Sequence, residues 1–198
     1  MPYTAEHKAQ TRARIIEKAR VMFNRRGFEQ VSIDDIMREA GLTRGGFYNH
    51  FASKDELYSA AVRSFTQCNP FVIKLSAMTE RDREPMKLAR MLVTLYLSDE
   101  VMDDVDAHCP LIALPSDVAR SGLKPRAAYT EVVQSMASVF GNALGESAEA
   151  RRKALVIVNL CVGGMVIART THDPELRKSI RAASRAQALA ILDDEAAS

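Results

Sequence analysis

The 198-residue sequence has no tryptophan, three cysteines, seven prolines and a formal net charge of only +2. Each scarcity excludes something. The cysteines are odd in number, at least 41 residues apart and without a Cys-x-x-Cys pair, so they build neither a disulfide framework nor a zinc site. A reducing cytoplasm is the expected compartment. With 27 basic against 25 acidic residues, the whole chain has no electrostatic bias toward nucleic acid, and only local charge can argue for one. The first 20 residues lack the apolar core of a secretory signal. The longest nearly apolar run, 154–168, ends after 15 residues and contains Asn159. That is short of the ~18 to 20 needed to cross a bilayer, so the run is expected as a buried helix. His-Glu-x-x-His, Gly-x-Gly-x-x-Gly, P-loop and Gly-x-Ser-x-Gly motifs are missing, and the one Ser-x-x-Lys string, at Ser121 to Lys124, stands without its companion elements. No catalytic residue, cofactor or metal site is expected.

What is present is helix-forming sequence: 28 alanines and almost no alternating β-branched stretch. The expected fold is all-α. After Pro2 no proline occurs until Pro70, which suggests an N-terminal unit over 1–68 and a larger helical unit over 69–198.

Inside the first unit, Ile15, Ile16, Ala19, Met22 and Phe23 share one face of a helix predicted over 12–26, and Gly27 supplies its stop. Ser32 with Asp35 resembles a capping box for a second helix with Ile33, Ile36, Met37 and Ala40 on its apolar side, ended by Gly41. Thr43 is placed to cap a third helix over 44–50, and Ser53 with Glu56 to cap a fourth with Leu57, Ala61, Val62 and Phe65 inside. Two short helices around a glycine turn, braced by a longer one, make a helix-turn-helix. Charge agrees with this placement: residues 1–66 carry 11 basic against 8 acidic side chains, and between His7 and Arg26 seven basic residues face Glu17 alone. Such a stripe suits phosphate contact.

The string Gly41-Leu-Thr-Arg-Gly-Gly-Phe-Tyr-Asn-His-Phe-Ala-Ser-Lys-Asp-Glu-Leu57, preceded by Val31-Ser-Ile-Asp-Asp-Ile36, resembles the TetR/AcrR family of one-component transcriptional regulators over roughly residues 10–65. The resemblance implies a homodimer that binds a partly palindromic double-stranded operator, usually as a repressor, and releases it when a small molecule enters the C-terminal domain. It also implies phosphate contacts by Tyr48, His50 and Lys54. From the residues themselves, Thr43 and Arg44 open the third helix, where Arg44 can pair bidentately with guanine. Gly45 and Gly46 either let the backbone approach the duplex closely or answer a packing requirement. Asn49 either reads an adenine or is solvated. Ser32 completes the candidate DNA-binding set, while Phe47 and Phe51 are expected in the core.

The second unit reads as helical blocks at 71–78, 85–98, 110–121, 125–144, 147–171 and 174–192, with Pro115 able to kink one of them. Cys161, Gly164 and Ala168 form a small-residue stripe, and Leu176, Ile180, Ala183, Gln187 and Ile191 a second stripe. Both are expected at a dimer interface, which the resemblance places on the last two helices. Met91, Leu95, Tyr96, His108, Cys109, Tyr129, Met136 and Phe140 are the candidate lining of an effector pocket, unless they are ordinary core packing. The acidic group Asp99, Glu100, Asp103, Asp104 and Asp106 either favours a cationic ligand or is solvated loop charge. His108 and a helix start at Pro110 can activate Cys109, which would make the DNA-binding regulator an oxidant or electrophile sensor. The sequence is also compatible with activation in place of repression, and with a helical protein-interaction adaptor.

Overall fold

The computed structural model describes residues 4–196, and no strand occurs among them. Eleven α-helices are described: α1 Ala5–Arg26, α2 Ile33–Glu39, α3 Lys54–Ser64, α4 Pro70–Ser76, α5 Pro85–Tyr96, α6 Asp99–Asp103, α7 Pro110–Ala113, α8 Pro115–Arg120, α9 Leu123–Leu144, α10 Ala148–Thr170 and α11 Pro174–Ala196. Between α2 and α3 lies a 3-10 helix, Arg44–Asn49, called the recognition turn below.

Local chemistry sets most boundaries. The Thr4 hydroxyl accepts from the His7 N–H and starts α1 well before the pattern at 12–26 suggests. Ser32 and Asp35 form the reciprocal capping box, with the Asp35 N–H donating to Ser32 Oγ at 3.0 Å and the Ser32 N–H to Asp35 Oδ2 at 3.3 Å. The Ser32 hydroxyl, and after it the Ser32 N–H, donates to the Asp35 carboxyl and holds it below the usual carboxylate range. Gly27 and Gly41 take φ +77° and +69°, the left-handed region that glycine enters without a Cβ clash. Pro115 breaks the block expected over 110–121 into α7 and α8, and the block over 85–98 ends at Tyr96 before α6.

The chain divides into two compact units that are not consecutive stretches: 1–67 with 109–132, and 68–108 with 133–198. The division at 1–68 and 69–198 expected from proline spacing left 109–132 with the second unit. In the first unit, Ile15, Ala19 and Phe23 of α1 pack with Ile36 and Met37 of α2, Phe47, Phe51, and Leu57, Tyr58 and Val62 of α3, all at most 2% exposed. α7 touches α1. At the end of α1 the Asp117 carboxylate accepts the Phe28 N–H at 3.0 Å, and Arg63 of α3 grips Glu131 of α9 through two bonds of 2.7 and 2.9 Å.

In the second unit α10 packs chiefly on α11 and also on α5. The apolar run 154–168 lies inside the 23-residue α10, which by length and composition alone would suffice to cross a bilayer. Ala154, Ile157, Cys161, Met165 and Ala168 give it one enclosed face. Arg181 of α11 is buried, bonding the Leu97 carbonyl at 3.3 Å and the Asp99 carboxylate.

Candidate nucleic-acid interface

The recognition turn is held from beneath and open above. Phe47 and Phe51 are 0% and 2% exposed, with their ring centroids 5.7 Å apart, and they hold this segment against the first unit's core as expected. Thr43, Arg44, Gly45, Tyr48 and Asn49 are exposed, and Gly46 and His50 are half-buried. Thr43 makes no side-chain capping bond, so the cap expected of it is absent; a 3-10 turn of six residues replaces the third α-helix.

Neither glycine is required by the protein itself. A Cβ on Gly45 would meet nothing within 4 Å, and one on Gly46 would make ordinary contact with Met37 Cε at 3.6 Å; neither has a positive φ. Of the two explanations for the pair, tight packing therefore has no support in the folded chain.

Three candidates are engaged within the chain. The Arg44 guanidinium lies 2.9 Å from Asp34 Oδ2, both exposed. Lys54 is half-buried, with Nζ donating to the Phe28 carbonyl at 2.5 Å and standing 4.1 Å from the centre of the Phe28 ring. Burial pushes the Lys54 ammonium below its ordinary pKa. Ser32 Oγ accepts the Asp35 N–H and donates to Asp35 Oδ2 at 2.6 Å, so its hydroxyl already serves the cap of α2.

Beside the recognition turn runs a groove of about 620 Å³ whose walls include His7, Lys8 and Thr11 of α1 and Thr43, Gly46, Asn49 and His50. Met37 and Leu42 give it an apolar floor. Burial, followed by the positive charge of Lys8, Arg12 and His7, lowers the His50 pKa. Arg12 lies 4.6 Å from the centre of the Phe51 ring. Sequence reasoning missed His7, Lys8 and Thr11 as site residues, although the basic stripe beginning at His7 was the signal that held them.

The remaining candidate sets are rearranged. Cys161, Gly164 and Ala168 are enclosed by their own chain: a Cβ on Gly164 would come within 2.4 Å of Ser184 Oγ, and burial pushes the Cys161 thiol up to about 12. The small-residue stripe thus seats α11 of the same molecule, and the expectation that it faces a partner is corrected. Leu176, Ala183 and Gln187 are exposed, Ile180 and Ile191 half-buried. On α10 the exposed large apolar residues are Leu155 and Ile167, which the sequence pattern did not single out.

Of the candidate effector residues, Leu95, Tyr96, His108, Met136 and Phe140 are buried in the second unit, whereas Cys109 and Tyr129 belong to the first. Met91 and Leu95 line an open groove of about 340 Å³ with Lys74, Arg90 and Glu100 at its sides. The His108 Nε2–H donates to the Met102 carbonyl at 3.2 Å, and burial holds its pKa below the ordinary value. Cys109 is 3% exposed, and burial pushes the Tyr129 phenol up to about 12. The acidic group is largely used in structure: Asp99 pairs with Arg181, Glu100 lies 3.7 Å from Lys74, and Asp104 caps the Ala107 N–H.

Residues 15–61 match the model of the family described as bacterial regulatory proteins, tetR family. Over 100 residues the chain is 34% identical to the HTH-type transcriptional regulator TtgR of Pseudomonas putida, spanning 50% of this chain and 47% of that protein. Over 61 residues it is 38% identical to the HTH-type transcriptional regulator YfiR of Bacillus subtilis, spanning 31% and 30% respectively. The chain thus spans less than half the length of these relatives. Among solved structures, reduced Escherichia coli NemR superposes with a TM-score of 0.70 at 17% identity, over 88% of this chain and 95% of that one. A tetR-family regulator from Agrobacterium tumefaciens gives 0.66 at 19% identity over 91% and 98%. These likenesses establish the fold.

Proposed function

We propose, proceeding from the chain's membership of the tetR family through residues 15–61, that it is a dimeric DNA-binding transcriptional repressor released from its operator by a small-molecule effector. The observation that carries this reading is the recognition turn: a rigid apolar underside of Phe47 and Phe51 beneath an outer row of Thr43, Arg44, Gly45, Tyr48 and Asn49. Arg44 reads bases, while Tyr48, His50 and Lys54 meet phosphates and fix register. Two such turns related by a two-fold axis read half-sites about one helical turn apart or a multiple of it, roughly 34 Å.

Dimerisation uses the outward sides of α10 and α11, where Leu155, Ile167 and Leu176 are exposed apolar residues at 52%, 55% and 49%. The effector enters the second unit; Met91 and Leu95 are the candidate lining residues that share an open groove there. An oxidant-sensing role for Cys109 finds no support in a thiol 3% exposed.

The test is a fluorescence-anisotropy titration against the DNA upstream of the chain's own gene and an unrelated duplex of equal length. Binding at least ~10³ tighter to the first supports the reading. Equal, weak binding to operator candidates across the genome overturns it in favour of an adaptor.

A further inference from the structure

The backbone of Phe28, just past the end of α1, is gripped on both sides by side chains from distant parts of the chain. On the amide side, Asp117 of α8 accepts the Phe28 N–H through Oδ2 at 3.0 Å. On the carbonyl side, Lys54 at the start of α3 donates from Nζ at 2.5 Å and covers the ring, 4.1 Å from its centre. The ring packs against Tyr58, with centroids 4.6 Å apart, and against Phe23 at 5.9 Å. Both backbone polar groups of Phe28 and its side chain are thus committed.

Asp117 is itself seated for this contact. Its other oxygen, Oδ1, holds Arg120 along α8 at 3.0 Å. The carboxylate reaches Phe28 across Gly27, where a Cβ would come within 2.7 Å of Oδ2. The glycine that ends α1 therefore also leaves the gap that the carboxylate fills. Downstream, the same stretch of chain is fastened to α3 through the Arg63 guanidinium on Glu131.

We propose that Asp117 is a positioning residue for DNA binding: by holding the Phe28 peptide it fixes the carbonyl and ring on which the Lys54 ammonium rests, and so presents that ammonium to a backbone phosphate before the duplex arrives. The proposal rests on the DNA-binding reading and on Lys54 as a phosphate contact, and it extends the reading head to α8, outside the helix-turn-helix segment. An ammonium has three N–H donors and the Phe28 carbonyl accepts one, so a phosphate oxygen is met without releasing the carbonyl. A lysine held in this way has already given up rotamer freedom that a loose lysine loses on binding. Fixing one such side chain in advance is worth about threefold to tenfold in affinity. Simple charge predicts the opposite sign, since removing a carboxylate near the duplex tightens binding.

The test compares Asp117→Ala with Asp117→Asn in the full chain. Both lose the negative charge, and only Asn keeps an acceptor for the Phe28 N–H. Anisotropy titrations use a generic duplex of about two helical turns over a salt series. Asp117→Ala is expected to bind about threefold to tenfold more weakly than Asp117→Asn. In a Lys54→Gln background, itself about one unit shallower in salt slope, that difference is expected to vanish. An equal difference in both backgrounds means that Asp117 acts only on the fold as a whole and overturns the positioning role. Equal binding by Asp117→Ala and Asp117→Asn overturns it too; either result leaves the DNA-binding reading standing. A wild-type salt slope in Lys54→Gln removes the phosphate contact and the proposal with it. Failure of wild type to bind any duplex overturns both the proposal and the reading. Should Asp117→Ala not fold, Asp117→Ser, equally uncharged and one bond shorter in reach, takes its place. NMR of the two Lys54 Hε protons needs no variant: distinct signals in the free protein are expected, and a single averaged signal overturns the advance positioning.

Discussion

Arg44 and Asp34 face each other across 2.9 Å, both exposed, so the residue proposed to pair with guanine is already paired with a carboxylate in the free protein. An ion pair this exposed contributes about 0 to 1 kcal/mol and is readily exchanged for a base. Arg44→Ala is expected to cost about 1 to 3 kcal/mol of discrimination between operator and control duplex. Asp34→Asn is expected to tighten binding to both duplexes alike and to leave the melting temperature nearly unchanged. Parallel titrations of the two variants check this; equal discrimination in Arg44→Ala and wild type would refute base reading by Arg44.

Lys54 has a second duty. Its ammonium bonds the Phe28 carbonyl at 2.5 Å and covers the Phe28 ring. Lys54→Ala is therefore expected to lower stability by about 1 to 3 kcal/mol without any DNA present, in addition to weakening all duplexes alike. Urea unfolding of the free protein is the decisive readout, since a lysine that only touched phosphate would leave the midpoint unmoved.

Gly45 separates folding from binding in the opposite direction. A methyl group there meets open space and the backbone has no positive φ, so Gly45→Ala is expected to keep or raise stability, by up to roughly 1 kcal/mol. Operator affinity is expected to fall if, as proposed, the duplex backbone approaches this turn closely. Calorimetry together with anisotropy tests the pair of signs; unchanged affinity would mean that DNA does not come close at this turn.

Gly164 makes the reverse case. A Cβ would lie 2.4 Å from Ser184 Oγ and 2.7 Å from Ser184 Cβ, so Gly164→Ala is expected to destabilise by roughly 1 to 3 kcal/mol through overpacking. Ser184→Gly in the same chain should recover most of that loss. A double-mutant unfolding cycle measures the coupling, and strictly additive effects would contradict the contact.

What was legible in the sequence was local. Ser32 with Asp35, Ser53 with Glu56 and Ser147 ahead of α10 announce helix starts because the hydroxyl and its amide partner lie three residues apart. Phe47 and Phe51 announce a core because their spacing puts both on one side. Missed features depend on residues far apart in the chain. The spacing of Cys161, Gly164 and Ala168 says that a helix comes close, and carries no mark of whether that helix belongs to the same molecule. Asp117 binds the Phe28 N–H across 89 residues, and nothing in either sequence neighbourhood advertises it. Lys54 has the look of a free lysine until the Phe28 carbonyl is found beside it.

Two glycines would bring a Cβ within 3 Å of a side chain, Gly27 beside Asp117 and Gly164 beside Ser184, and they differ in how sequence drift can treat them. A Cβ on Gly27 would come within 2.7 Å of Asp117 Oδ2, but the backbone there also holds φ +77°, so shortening Asp117 removes the crowding and leaves the strain. Gly164 has no such φ, and its main obstacle is the neighbour. Position 164 can therefore change in step with position 184, one substitution permitting the next. Position 27 has no permissive partner, and in a deep mutational library it should tolerate glycine alone in every background.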